Sequence, residues 1–144
     1  MRTFGLLALV LVVAAALGGC QLFENRTATA DDRLMAQQRP VIPDLPVPAG
    51  FKMDLKHTFY NSASGMRTGY VTYDGRADGP RLMEFFKDNM PISGWALVRE
   101  STDPNTGSFI LQFEKEGEGA GVKITPGHFS SEFVVTFTPG TTAR

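Results

Sequence analysis

From residue 51 onward, apolar and polar positions alternate with a period of two. In "FKMDLKHTFY", residues 51–60, Phe51, Met53, Leu55, His57 and Phe59 share one phase; Lys52, Asp54, Lys56 and Thr58 share the other. That alternation predicts a half-buried strand. "NSASG" predicts a turn, and "MRTGYVTYD", residues 66–74, a second strand rich in β-branched and aromatic residues. The period then changes. In "RADGPRLMEFFKDNMPISGW", Leu82, Phe85, Phe86 and Met90 recur at helical spacing. Asp78 or Gly79 is placed to cap this helix, Pro80 suits its first turn, and Asn89 and Pro91 end it.

Four more strands are predicted, at 95–100, 108–115, 120–125 and 132–138. Their apolar phases are Phe109, Leu111 and Phe113; Ala120, Val122 and Ile124; and Phe133, Val135 and Phe137. The connections "STDPNTG", "EGEG" and "PGHFSS" are short and turn-rich, which favours consecutive antiparallel pairing. The expected order is β-β-α-β-β-β-β. One helix packed on an antiparallel sheet makes an α+β two-layer sandwich over residues 51–140.

The first fifty residues read differently. After Arg2, residues 4–17 are apolar apart from Gly5 and too short to span a bilayer as a helix. The layout is that of a secretory signal peptide over residues 1–19. Residues 21–39 are polar without a sustained period, with a short helix conceivable from Asp31 to Gln38. Residues 40–48, "PVIPDLPVP", place Pro40, Pro43 and Pro46 three apart, the period of a polyproline II helix. Residues 20–50 are therefore expected to form a Pro-rich tether, spanning at most roughly 90–100 Å if extended.

Leu17-Gly18-Gly19-Cys20 resembles the lipobox of bacterial lipoproteins. The resemblance implies a diacylglyceryl group on the thiol of Cys20, cleavage before that residue, and acylation of the new amino group. Two or three chains hold a protein stably at a bilayer where one does not. Gln21 follows the cysteine where aspartate would favour inner-membrane retention, so the outer membrane of the envelope is the expected location. "VPAGF" and "FFKDNMPISGW" resemble small domains of bacterial envelope lipoproteins, from which no catalytic residue carries over.

Composition narrows the chemistry. Cys20 is the sole cysteine, so the mature domain has no disulfide and no cysteine-based metal site. Of 14 basic and 15 acidic side chains only Arg2 lies in the leader, leaving 13 against 15 and a formal charge of −2. That balance gives no case for nucleic acid. His57 falls in the apolar phase of the first strand and His128 in a Gly-His turn, with no second ligand at metal spacing. A triad of Asp54, His57 and Ser62 or Ser64 can be drawn, but no nucleophile elbow accompanies it. Glu114, Glu116 and Glu118 alternate into a hairpin. Neither a cofactor nor a metal is expected.

The residues placed to meet a partner are Trp95, a residue type favoured at binding hot spots, and Tyr60, Tyr70 and Tyr73 along an exposed sheet face. Trp95 also suits the junction of helix and sheet, in phase with Leu97. Together these features describe a non-catalytic, lipid-anchored accessory or binding module of the envelope. Its expected partners are the membrane, through the anchor, and another envelope protein or the cell wall. The alternatives are a hydrolase of wall or lipid using His57 or the hairpin carboxylates, and a small-ligand carrier.

Overall fold

The computed structural model describes residues 33–128 and 130–139. The expected leader, Cys20 and residues 21–32 lie outside the described residues. The chain forms β1 (Lys52–Met53), β2 (Phe59–Ala63), β3 (Met66–Gly75), α1 (Gly79–Asn89), β4 (Ala96–Thr102), β5 (Phe109–Lys115), β6 (Glu118–Pro126) and β7 (Ser131–Thr138). It is an α+β fold: seven antiparallel strands and one α-helix among the described residues.

The sheet order is β1-β3-β7-β6-β5-β4, and β2 lies beside β1 on the same side of β3. Tight turns set the hairpins. Ser64 and Gly65, with φ of 53° and 78°, join β2 to β3; Glu116 and Gly117, with φ of 51° and 80°, join β5 to β6. Two positive φ values in a two-residue loop match the twist of the strands they connect. At Gly69 a Cβ would stand 2.1 Å from the Phe59 carbonyl oxygen, so only glycine lets β2 lie this close to β3.

The helix starts where its sequence signals placed it. The Asp78 carboxylate accepts a hydrogen bond from the Arg81 amide at 2.8 Å, and Pro80 follows in the first turn. At the far end the Met90 amide donates to Phe86 O, and Pro91 opens a separate 3-10 turn, Pro91–Ser93. Leu82, Phe85 and Phe86 are buried, and α1 packs over β5 and β6. Phe86 meets Phe133 of β7 edge-on, with centroids 4.9 Å apart.

The predicted first strand is not continuous. The Asp54 carboxylate accepts a hydrogen bond from the Lys56 amide at 2.8 Å and caps a 3-10 turn, Leu55–His57. The turn breaks the alternation between β1 and β2. Phe51 stays buried, but Leu55 and Phe59 are exposed. His57 stands in the turn with its side chain 73% exposed, so it belongs to no apolar phase.

The Pro-rich stretch is part of the fold and not a free spacer. Ile42, Leu45 and Val47 are buried in the core with Phe51. The backbone around them closes on itself. The Gln37 amide donates to Val47 O and the Ala49 amide to Met35 O, both at 2.7 Å, and the Gln37 side chain donates to Phe51 O at 2.7 Å. Residues 33–38 form no helix; Ala36 makes a bridge to Pro48. We call residues 33–51 the strap. Its Phe51 ring packs 5.3 Å from that of Phe133 in β7 and fills the space over Gly75 of β3. Helix and strap thus share one face of the sheet. An 11-residue helix is too narrow to cover six neighbouring strands spaced about 4.8 Å apart.

Candidate functional site

The opposite face of the sheet carries no covering helix among the described residues. There a groove of about 670 Å³ runs over the β4–β7 region. Val98, Gln112, Glu114, Gly119, Gly121, Thr136, Thr138 and Pro139 line it. Its shape follows from the pairing. Thr136 lies opposite Gly121, which lies opposite Gln112; Thr138 lies opposite Gly119, which lies opposite Glu114. Directly opposed residues of antiparallel strands point to the same face. The two glycines leave that face bare between a wall of threonines and a wall of Gln112 and Glu114. A bulge between Leu97 and Arg99 brings Val98 to the β4 side.

The glycines differ in origin. A Cβ on Gly119 would stand 2.5 Å from Thr138 Oγ1, so this glycine answers to its neighbour. A Cβ on Gly121 would meet only Thr136 O, at 4.0 Å, in otherwise open space. Gly121 has no positive φ, and β6 pairs on both sides without a break. Glycine in a strand interior weakens the strand and marks bulges, bends or the close approach of another group.

On the covered face a charge cluster ties the strap down. The Arg67 guanidinium donates to both Asp44 carboxylate oxygens, at 2.5 and 3.0 Å, and from Nε to Glu118 Oε1 at 2.8 Å. Lys115 Nζ donates to Asp44 Oδ2 at 3.0 Å. The indole Nε1–H of Trp95 donates to Asp44 O at 3.0 Å. The guanidinium carbon lies 4.9 Å from the Phe137 ring centroid and 5.4 Å from that of Trp95. Glu118 and then Asp44 raise the Arg67 pKa against the cost of its partial burial. Burial pushes the Asp44 carboxyl up, and Arg67 and Lys115 together outweigh it and hold the group below its ordinary value. The cations and carboxylates satisfy one another, so this cluster is a latch.

The sequence-pattern model of the START domain-like family matches residues 55–140. The chain belongs to this family. No curated protein and no solved structure matches the chain. The START domain-like region holds the groove and strands β2 to β7; the strap and β1 precede it.

The residues expected to meet a partner do not act as one surface. Trp95 and Tyr73 are buried, at 1% and 2% exposure, and cannot reach a partner. Trp95 is held by the Asp44 carbonyl, and Tyr73 stacks on Phe133 with centroids 5.0 Å apart. Tyr60 is half-buried against Phe137. Only Tyr70 is exposed, paired with the Phe59 ring 6.4 Å away. Tyr73 faces inward because the turn Ser64–Gly65 fixes the register of β3: odd positions from Val71 point to the core and Tyr70 away from it.

The paper triad is half assembled. His57 Nδ1 and Asp54 Oδ2 lie 2.6 Å apart, and this contact raises the His57 pKa and lowers that of Asp54. Among the described residues neither Ser62 nor Ser64 hydrogen-bonds to His57. Of the hairpin carboxylates, Glu118 is engaged by Arg67, Glu116 forms the turn and Glu114 lines the groove. Among the described residues no cluster of three or more His, Cys, Asp or Glu could hold a metal, and no helix is long and apolar enough to cross a membrane.

Pattern reading along the chain missed the groove. Its signal was Gly119 and Gly121 two apart in a strand, which places both on one face.

Proposed function

We propose that this protein is a non-catalytic ligand-binding module of the cell envelope, held at a membrane by lipid on Cys20. The observation that carries the binding part is the groove on the open sheet face, floored by Gly121 where the strand itself has no use for glycine. A concave site with a few placed polar groups is the usual form of a ligand site. Membership of the START domain-like family fits a ligand-binding module. A two-layer arrangement, with helix and strap on one face, leaves the other face for the ligand.

The anchor part rests on the lipobox. With the strap folded into the domain, residues 21–32 lie between Cys20 and the strap in sequence, and twelve residues reach at most about 40 Å. The module therefore works close to the bilayer, with Gln21 favouring the outer membrane.

Two measurements test this reading. Substituting Cys20→Ala should abolish acyl labelling in cells and leave unprocessed precursor; normal labelling would sink the anchor. A fragment screen on the full chain should yield binders that are lost in Gly121→Phe. Binders indifferent to that substitution would remove the groove from the function.

A further inference from the structure

We infer that the groove takes a neutral glycan, its sugar rings lying over Gly121 and stacking toward Tyr70. The inference rests on the reading of the groove as a binding site and names its ligand class.

The sheet register carries the argument. One row crosses six strands: Phe59, Tyr70, Thr136, Gly121, Gln112 and Arg99 are successive opposed residues on β2, β3, β7, β6, β5 and β4. All six side-chain positions therefore face the same way. Across the sheet the row reads aromatic ring, aromatic ring, hydroxyl, open floor, amide, cation. At about 4.8 Å per strand, Tyr70 and Gln112 stand about 14 Å apart, with the bare floor between them. Beside it runs the shorter row Thr138, Gly119, Glu114.

The chemistry of these groups selects the ligand. A pyranose has an apolar C–H face and a rim of hydroxyls that both donate and accept. Tyr70 and Phe59, 46% and 61% exposed, lie outside the groove lining and offer aromatic surface beyond Thr136 in the same row. Gln112, Thr136 and Thr138 each donate and accept, and Glu114 accepts. A fatty chain would leave these polar groups unpaired at a cost per group. An anion would meet the Glu114 carboxylate, which has no ion pair among the described residues, while the cations of this face, Arg99 beyond Gln112 and Lys123 beyond Gly121, lie outside the groove lining. Arg67 and Lys115 are committed to Asp44 and Glu118. Charge and hydrogen bonding thus favour a neutral, hydroxyl-rich ligand.

The test is calorimetric titration of the full chain in lipid nanodiscs, free of glycosidic detergent. The probes are chitotriose and cellotriose, with palmitate and spermine as the apolar and cationic alternatives. A saccharide should bind, binding should vanish in Gly121→Phe, and it should weaken about three- to tenfold in Tyr70→Ala. Thermal melting checks that each variant is folded, and Gln112→Ala, at an exposed position, serves if Gly121→Phe is not. Saccharide binding that survives these substitutions overturns the inference. Heat from palmitate or spermine alone, lost in Gly121→Phe, overturns the glycan and leaves the groove a binding site. Silence toward every probe from folded protein overturns both readings.

Discussion

At the scale of single residues, the covered face is held by aromatic packing and by one arginine. Arg67 joins the strap to β6 through two carboxylates while its planar group lies over Trp95 and Phe137. A lysine could not fork to both carboxylates in this way. Tyr73 presents the reverse case. Its hydroxyl is buried without a hydrogen-bond partner, and burial alone pushes its pKa up to about 12. An unpaired buried hydroxyl costs about 1 kcal/mol or more. Tyr73→Phe keeps the stack on Phe133 and removes that cost. The variant is expected to match or exceed wild type by about 1 kcal/mol in urea unfolding; a loss of stability would show that the hydroxyl has a partner after all.

At the scale of elements, the strap is the unexpected member. Three prolines at a spacing of three describe a spacer well, and two of the segment's prolines, Pro46 and Pro48, are in fact buried. The clue was in the residues between them. A solvated spacer has no need of Ile42, Leu45 and Val47, and these are the side chains that enter the core. The strap depends on Asp44. Because the folded state holds the Asp44 pKa below its ordinary 3.8, the latch contributes fully above about pH 4 and is lost as pH falls through the lower folded value. Asp44→Asn should cost about 2 kcal/mol at pH 7 and flatten the decline of stability below pH 4. Urea unfolding across pH 2–7 measures it, and parallel wild-type and variant curves would show that the latch contributes nothing.

At the scale of the whole molecule, one helix and one strap together seal a sheet that neither could cover. Phe86 from the helix and Phe51 from the strap both pack on Phe133, which makes this ring the meeting point of the two covers. The strap is therefore part of the folding unit, and the fold is expected to begin before residue 51. A chain starting at 33 should melt in one cooperative transition. A chain starting at 51 loses Ile42, Leu45 and Val47 and exposes what they cover, a loss of about 5 kcal/mol or more. That approaches the total stability of a small domain. Differential scanning calorimetry of both chains decides it, and equal melting temperatures would reduce the strap to decoration.

The strands from residue 66 and the helix with its Asp78 cap were legible in the sequence because period, caps and turns act between near neighbours. Six strands and one helix were expected, and the structure has seven strands because the expected first strand is split. There a local competitor, the Asp54 carboxylate capping a 3-10 turn, overrode an alternation that looked regular. Tertiary structure alone decided which apolar residues of 41–59 turn inward. It also decided that Trp95 and Tyr73 are buried while Tyr70 is not, and that Gly121 floors a groove. The physical reason is that a sheet row couples residues from strands distant in the chain. Phe59 and Arg99 share a row with Gly121, and no periodicity along the sequence can announce that company.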